Sequence, residues 1–177
     1  MNEKKLEQNM IDLLEEQQLK LGYMSGEVRL YYPLTSLNHF LETNCDAEEM
    51  QRVLFDFADR VKQRLGTLAI SHEGERFCLV IPKEGVDYVH ANMCPDSFMA
   101  DLIRTVGTHG CTLEDVLNQF YRHSNRVHVE RVGHGEFDYL VYFEDGVPDS
   151  FRYCITVEEC HVTYHRFTVE DYEEFGF

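Results

Sequence analysis

Apolar residues recur at helical spacing near the start of the chain, where Leu6, Met10, Leu13, Leu14 and Leu21 fall within residues 3–21 and Gln17 interrupts their stripe. This pattern predicts an amphipathic helix closed by Gly22. "GEVRLYYPL" alternates briefly before Pro33 and reads as a short strand or extended segment, followed by a small helix around "SLNHFLET". In the next segment Met50, Val53, Leu54, Phe57, Val61 and Leu65 line one face of a helix. Asp46 can cap its first turn, Glu49 occupies the reciprocal capping position, and Gly66 stops it.

"TLAISHEGERFCLVIP" holds two apolar runs around Glu73 and Gly74, the pattern of a tight hairpin over 67–82 that ends at Pro82. From 83 to 123 the spacing turns helical again. One short helix runs from about Val86 to Ala91, a second carries Phe98, Leu102 and Ile103, and a third begins at Thr112 with Asp115 as its capping partner. Three consecutive helices are expected to pack together. "VHVERV", "FDYLVYFE", "SFRYCITV" and "CHVTYHRF", separated by turn signals, predict an antiparallel meander over 127–167. "TVEDYEEFG" predicts a closing helix capped by Thr168. Alternation assigns Phe137, Tyr139, Val141 and Phe143, together with Phe151, Tyr153, Ile155 and Val157, to the buried side of the meander.

These elements predict a single α+β domain over residues 1–177, in which one antiparallel sheet of about six strands, hairpin plus meander, is packed by helices. The length suits one domain. With 44% hydrophobic, 12% aromatic and 27% charged residues, the composition is that of a soluble globular protein. The start "MNEKKLEQNM" is polar, and no apolar run reaches the length of a signal peptide or membrane helix, so the expectation is a cytoplasmic protein without a membrane association. Six cysteines without a Cys-x-x-Cys pair read as reduced thiols. Cys78 and Cys154 fall inside strands with no basic neighbour evident, which makes both poor nucleophiles.

Thirty-two acidic residues against sixteen basic ones set the formal charge at −16. The balance is most acidic from Glu144 to Phe177, where nine carboxylates face two arginines. Such a surface repels nucleic acid and anionic lipid, and it favours solubility or a basic protein partner.

Three groups of residues could carry chemistry. His90 and Cys94, with His109 and Cys111, are ligand types that zinc accepts. Pro95 ends the first helix at that cysteine, however, and the helix between the two pairs spans about 15 Å. The four therefore mark helix boundaries, and neither a metal nor a cofactor is expected. His161, His165 and Arg152 form the second group, because they can share the outer face of the meander and there hold a ligand or transfer protons. The third is the order helix, helix, helix, strand, strand between 83 and 144, which is that of a winged helix. Five basic residues against ten acidic ones in that segment argue against nucleic acid, leaving a winged-helix-like shape used for protein contacts.

At "EVRLYYPLTSLNHFL", preceded by "LEQNMIDLLEEQQLKLGY", the chain resembles a small family of uncharacterised proteins of gut Firmicutes, largely Clostridia, a domain of unknown function. The resemblance runs over most of the length. It implies a bacterial cytoplasmic protein and assigns no catalytic residues. The leading expectation is accordingly a non-enzymatic acidic protein that binds a basic protein partner. The alternative is a small-molecule binding protein or enzyme built on Arg152, His161 and His165, and a winged-helix-like module is the third.

Overall fold

The computed structural model describes residues 3–23, 25–132 and 135–175. It is an α+β protein with seven helices and two antiparallel sheets among the described residues. The chain divides into two compact units, Met1–Cys94 and Pro95–Phe177.

The first unit contains α1 (Glu3–Leu21), β1 (Val28–Pro33), α2 (Leu34–Leu41), α3 (Ala47–Leu65), β2 (Ala69–Glu73), β3 (Arg76–Ile81) and α4 (Lys83–Asn92). The strand order is β1-β3-β2, so the predicted hairpin β2–β3 accepts a third strand from about fifty residues upstream. Burial alternates cleanly along all three strands. Tyr32, Phe77, Leu79 and Ile81 turn inward to the core formed by Leu6, Met10 and Leu14 of α1 and Leu54, Phe57 and Val61 of α3. The capping box at Asp46 and Glu49 forms as its spacing predicts, with Asp46 accepting from the Glu49 amide at 2.9 Å.

The joint between α3 and α4 is too tight for a side chain. A Cβ added to Gly85 would lie 2.2 Å from the Leu65 carbonyl oxygen. Gly66, at φ +72°, adopts a left-handed conformation that glycine enters without strain.

The second unit contains α5 (Phe98–Val106), α6 (Leu113–His123), β4 (Val127–Arg131), β5 (Tyr139–Phe143), β6 (Arg152–Val157), β7 (Val162–Phe167) and α7 (Val169–Phe175). The meander order β4-β5-β6-β7 is the predicted one. Its core is a cluster of rings: the Phe98 centroid lies 4.7 Å from Phe120, 4.8 Å from Phe143 and 5.6 Å from Tyr153. Edge-on contacts of this kind add to the apolar area the rings bury. The one polar atom of the cluster is satisfied, since the Tyr153 hydroxyl donates to Asp149 at 2.7 Å.

Two expectations are corrected here. The hairpin and the meander do not join in one sheet of about six strands, because β1 completes the first sheet and β4–β7 close their ladder among themselves. The three helices of 83–123, expected to pack together, are divided between the two units. In the first unit α4 packs on α1 and α3, while in the second α5 packs on α6.

Candidate functional site

The outer face of the second sheet, on which the sequence places Arg152 and His165, is built in cross-strand rows. One row is His128, Tyr142, Arg152 and Phe167, set by the pairs His128↔Tyr142 and Arg152↔Phe167. Three of its members, His128, Tyr142 and Arg152, stack on one another. The His128 ring lies 4.6 Å from that of Tyr142, and the Arg152 guanidinium sits 3.8 Å from the Tyr142 centroid. The next row holds Cys154 opposite His165. The short helix α7 follows β7, its first turn capped by the Thr168 hydroxyl, which accepts from the Asp171 amide at 3.1 Å. Burial raises the pKa of Tyr172 on that helix; Cys154 and Glu130 push in the same direction, and Arg152 opposes. The face predicted to be open is therefore partly covered by the chain's own closing helix.

The structure brings Arg152 and His165 onto this face and leaves His161 apart. His161 precedes β7 in the turn after β6, where its Nε2 lies 3.2 Å from Glu158. Four residues of strand separate it from His165, about 13 Å. His165 packs against the Phe137 ring at 5.6 Å. That contact also corrects the predicted position of Phe137, which lies ahead of β5 and turns to His165 and Phe167 rather than to the buried side. Val157, at the end of β6, is 41% exposed and equally outside the core.

The residues of the histidine and cysteine pairs are occupied differently. His90 on α4 stacks on Tyr23 at 4.3 Å, with its Nδ1 3.0 Å from Gln18 Oε1. The Gln18 amide also donates to the Val86 carbonyl at 3.2 Å. Cys94 and His109 are exposed, and Cys111 is buried. Burial, and after it Asp115, raises the Cys111 thiol pKa. Among the described residues no group of three or more His, Cys, Asp or Glu side chains stands together as a metal site requires.

A cluster that sequence reasoning missed lies between α5 and α6. Asp101 accepts from Arg104 at 2.9 Å, lies 2.9 Å from His123 Nε2 and 3.6 Å from Arg122. The hydrogen bond with His123 is the first cause of a carboxyl pKa below the usual range. No nucleophile stands in this network among the groups bonded to Asp101, so it serves to join two helices. Twenty-two residues separate Asp101 from His123, and no local pattern announces the pair.

Charge distribution gives the second unit its most distinctive surface. Twelve of its sixteen carboxylates are exposed, against four exposed arginines. The other two arginines are half-buried over rings, Arg152 on Tyr142 and Arg166 on Phe151, the latter at 4.3 Å. Arg104 and Arg122 both address Asp101.

A family model described as "Domain of unknown function, E. rectale Gene description (DUF3877)" matches residues 3–176. The chain belongs to this family. The match covers both units from α1 to α7 and agrees with the resemblance read at residues 6–41, the family being named for a gut Firmicute. No curated protein and no solved structure matches the chain. No helix among the described residues is long and apolar enough to cross a membrane.

Proposed function

We propose that this family member is a non-enzymatic cytoplasmic protein that presents the carboxylate surface of its second unit to a basic protein partner. The observation that carries the reading is the excess of exposed carboxylates on the second unit, twelve against four exposed arginines. Arg152 and Arg166 lie half-buried on aromatic rings, so the exposed arginines of this unit are Arg104, Arg122, Arg126 and Arg131. A surface of one sign speeds the approach of a partner of the other sign and turns nucleic acid away. The α7 carboxylates Glu170, Glu173 and Glu174 are all exposed, and they belong to this surface.

The test is parallel capture from cell extract at low and high ionic strength. The bait is either the wild-type protein or a variant combining Glu170→Gln, Glu173→Gln and Glu174→Gln. Basic proteins should be retained by the wild type at low salt, released when the Debye length falls from about 10 Å towards 3 Å, and lost from the variant. Recovery of no partner at either salt, or equal recovery by bait and variant, overturns the reading.

A further inference from the structure

The outward face of the first sheet carries a second constellation, independent of the acidic surface. The register aligns Tyr31, Cys78 and Ser71 in one row across β1, β3 and β2. Arg29 stands one row to one side, opposite Val80, and Arg76 one row to the other, opposite Pro33 and Glu73. Together these residues line a concavity of about 370 Å³, a volume within the range of small-molecule sites.

Both arginines are turned to the central row. The Arg76 guanidinium lies over the Tyr31 ring, 5.4 Å from its centroid. Among the described residues Arg76 has no carboxylate oxygen within ion-pair distance, although Glu73 is its direct partner across the ladder. Arg29 donates from Nε and Nη2 to Glu27 at 3.2 and 2.8 Å, and its charge acts on both Tyr31 and Cys78. Glu27 thus fixes one edge of the guanidinium and leaves Nη1 without an acceptor among the described residues. The hydroxyls of Tyr31 and Ser71 have no hydrogen-bond partner within the protein among the described residues, and Tyr31 is 56% exposed.

We propose that this face binds a small phosphomonoester. Two guanidiniums and two hydroxyls offer more donors than a carboxylate's two oxygens can accept, and a phosphate's three terminal oxygens match them. The exposed Tyr31 ring gives the organic part of the ligand a surface to lie on. Glu73 at the rim opposes a diffuse anion and favours one held close to the arginines.

Cys78 sits in the middle of the row and reports occupancy. The experiment measures the rate of iodoacetamide labelling at each cysteine by peptide mass spectrometry, with phenyl phosphate in the millimolar range, and with benzoate and benzyl alcohol as controls. Phenyl phosphate should slow labelling of Cys78 several-fold and leave Cys94 and Cys160 unchanged. Arg29→Gln and Arg76→Gln should each raise the half-protecting concentration on the order of tenfold, equivalent to about 1.4 kcal/mol, with Arg76→Lys retaining part of the protection. An unchanged Cys78 rate, equal protection by benzoate, or a half-protecting concentration unchanged in either glutamine variant overturns the proposal. Amide NMR shifts of the wild-type protein under phenyl phosphate supply a readout independent of the variants: shifts confined to β1–β3 support the site, and their absence there removes it.

Discussion

His123 Nε2 lies 2.9 Å from Asp101 Oδ2, which fastens the last turn of α6 to the first turn of α5. The carboxylate is the buried partner, with 11% of its side chain exposed. Its folded pKa is depressed, first by the hydrogen bond with His123 and then by the charges of His123, Arg104 and Arg122. A depressed carboxyl pKa contributes stability that is complete above the unfolded value, about 4, and disappears as pH falls through the folded value. Thermal unfolding followed between neutral pH and pH 2 should therefore show an acid limb that Asp101→Asn flattens, with the variant a few degrees less stable at neutral pH. An acid limb of the same steepness in the variant would assign the loss to other carboxylates.

Gly85→Ala should destabilise the first unit by roughly 1–3 kcal/mol or more, the range for overpacking a filled site. The added methyl meets the backbone of Leu65, which cannot rotate away as a flexible side chain could. Urea unfolding compared with the wild type measures the loss, and Gly26→Ala, where the new Cβ meets nothing within 4 Å, is the control.

Removing one ring from the aromatic cluster should be costly. Phe120 is fully buried and touches Phe98, Phe143 and Tyr153, with centroids 4.7, 5.2 and 5.2 Å away. Phe120→Ala is expected to lower stability by about 3–5 kcal/mol, while Phe120→Leu should lose distinctly less because it refills most of the volume. Equilibrium denaturation of both variants distinguishes the two effects.

The six thiols should divide by burial under native alkylation at pH 8. Burial raises Cys154 to about 11, and Cys111 is also pushed up, so both remain protonated and covered. Cys94 and Cys160 are exposed. Peptide mapping after a short pulse of iodoacetamide should find label at Cys94 and Cys160 and none at Cys154 or Cys111 until denaturant is added. Rapid native labelling of Cys154 would mean that its face of the sheet opens.

What the sequence reveals of this fold follows the range of each interaction. The capping boxes at Asp46 and Thr112 form as read because each is closed within four residues. Alternation likewise locates the strands of the hairpin and the meander. Which strands share a sheet depends instead on β1 meeting β3, a pairing between Val28–Pro33 and Arg76–Ile81 that no short-range pattern encodes. Phe137 shows the limit from another side, since extending the period of β5 by one step assigns it inward, whereas the strand begins only at Tyr139.

The candidate residues follow the same division. Arg152 and His165 share a face because the period of two along a strand is reliable, but His161 falls in the turn, where the period no longer holds. Cys78 does have basic neighbours, contrary to the reading from its strand alone. Arg76 is two residues away on the same strand and so legible in principle, whereas Arg29 arrives only through the β1–β3 pairing.

The contact between Gln18 and His90 settles a point of proton placement. The Gln18 amide nitrogen is already committed as donor to the Val86 carbonyl, so its oxygen is the atom presented to His90 Nδ1. An oxygen can only accept, which requires the imidazole proton on Nδ1 and fixes one tautomer of the neutral ring. The lone pair that His90 can offer to a proton or a metal ion is thereby confined to Nε2, and Gln18, buried on the apolar stripe of α1, selects it.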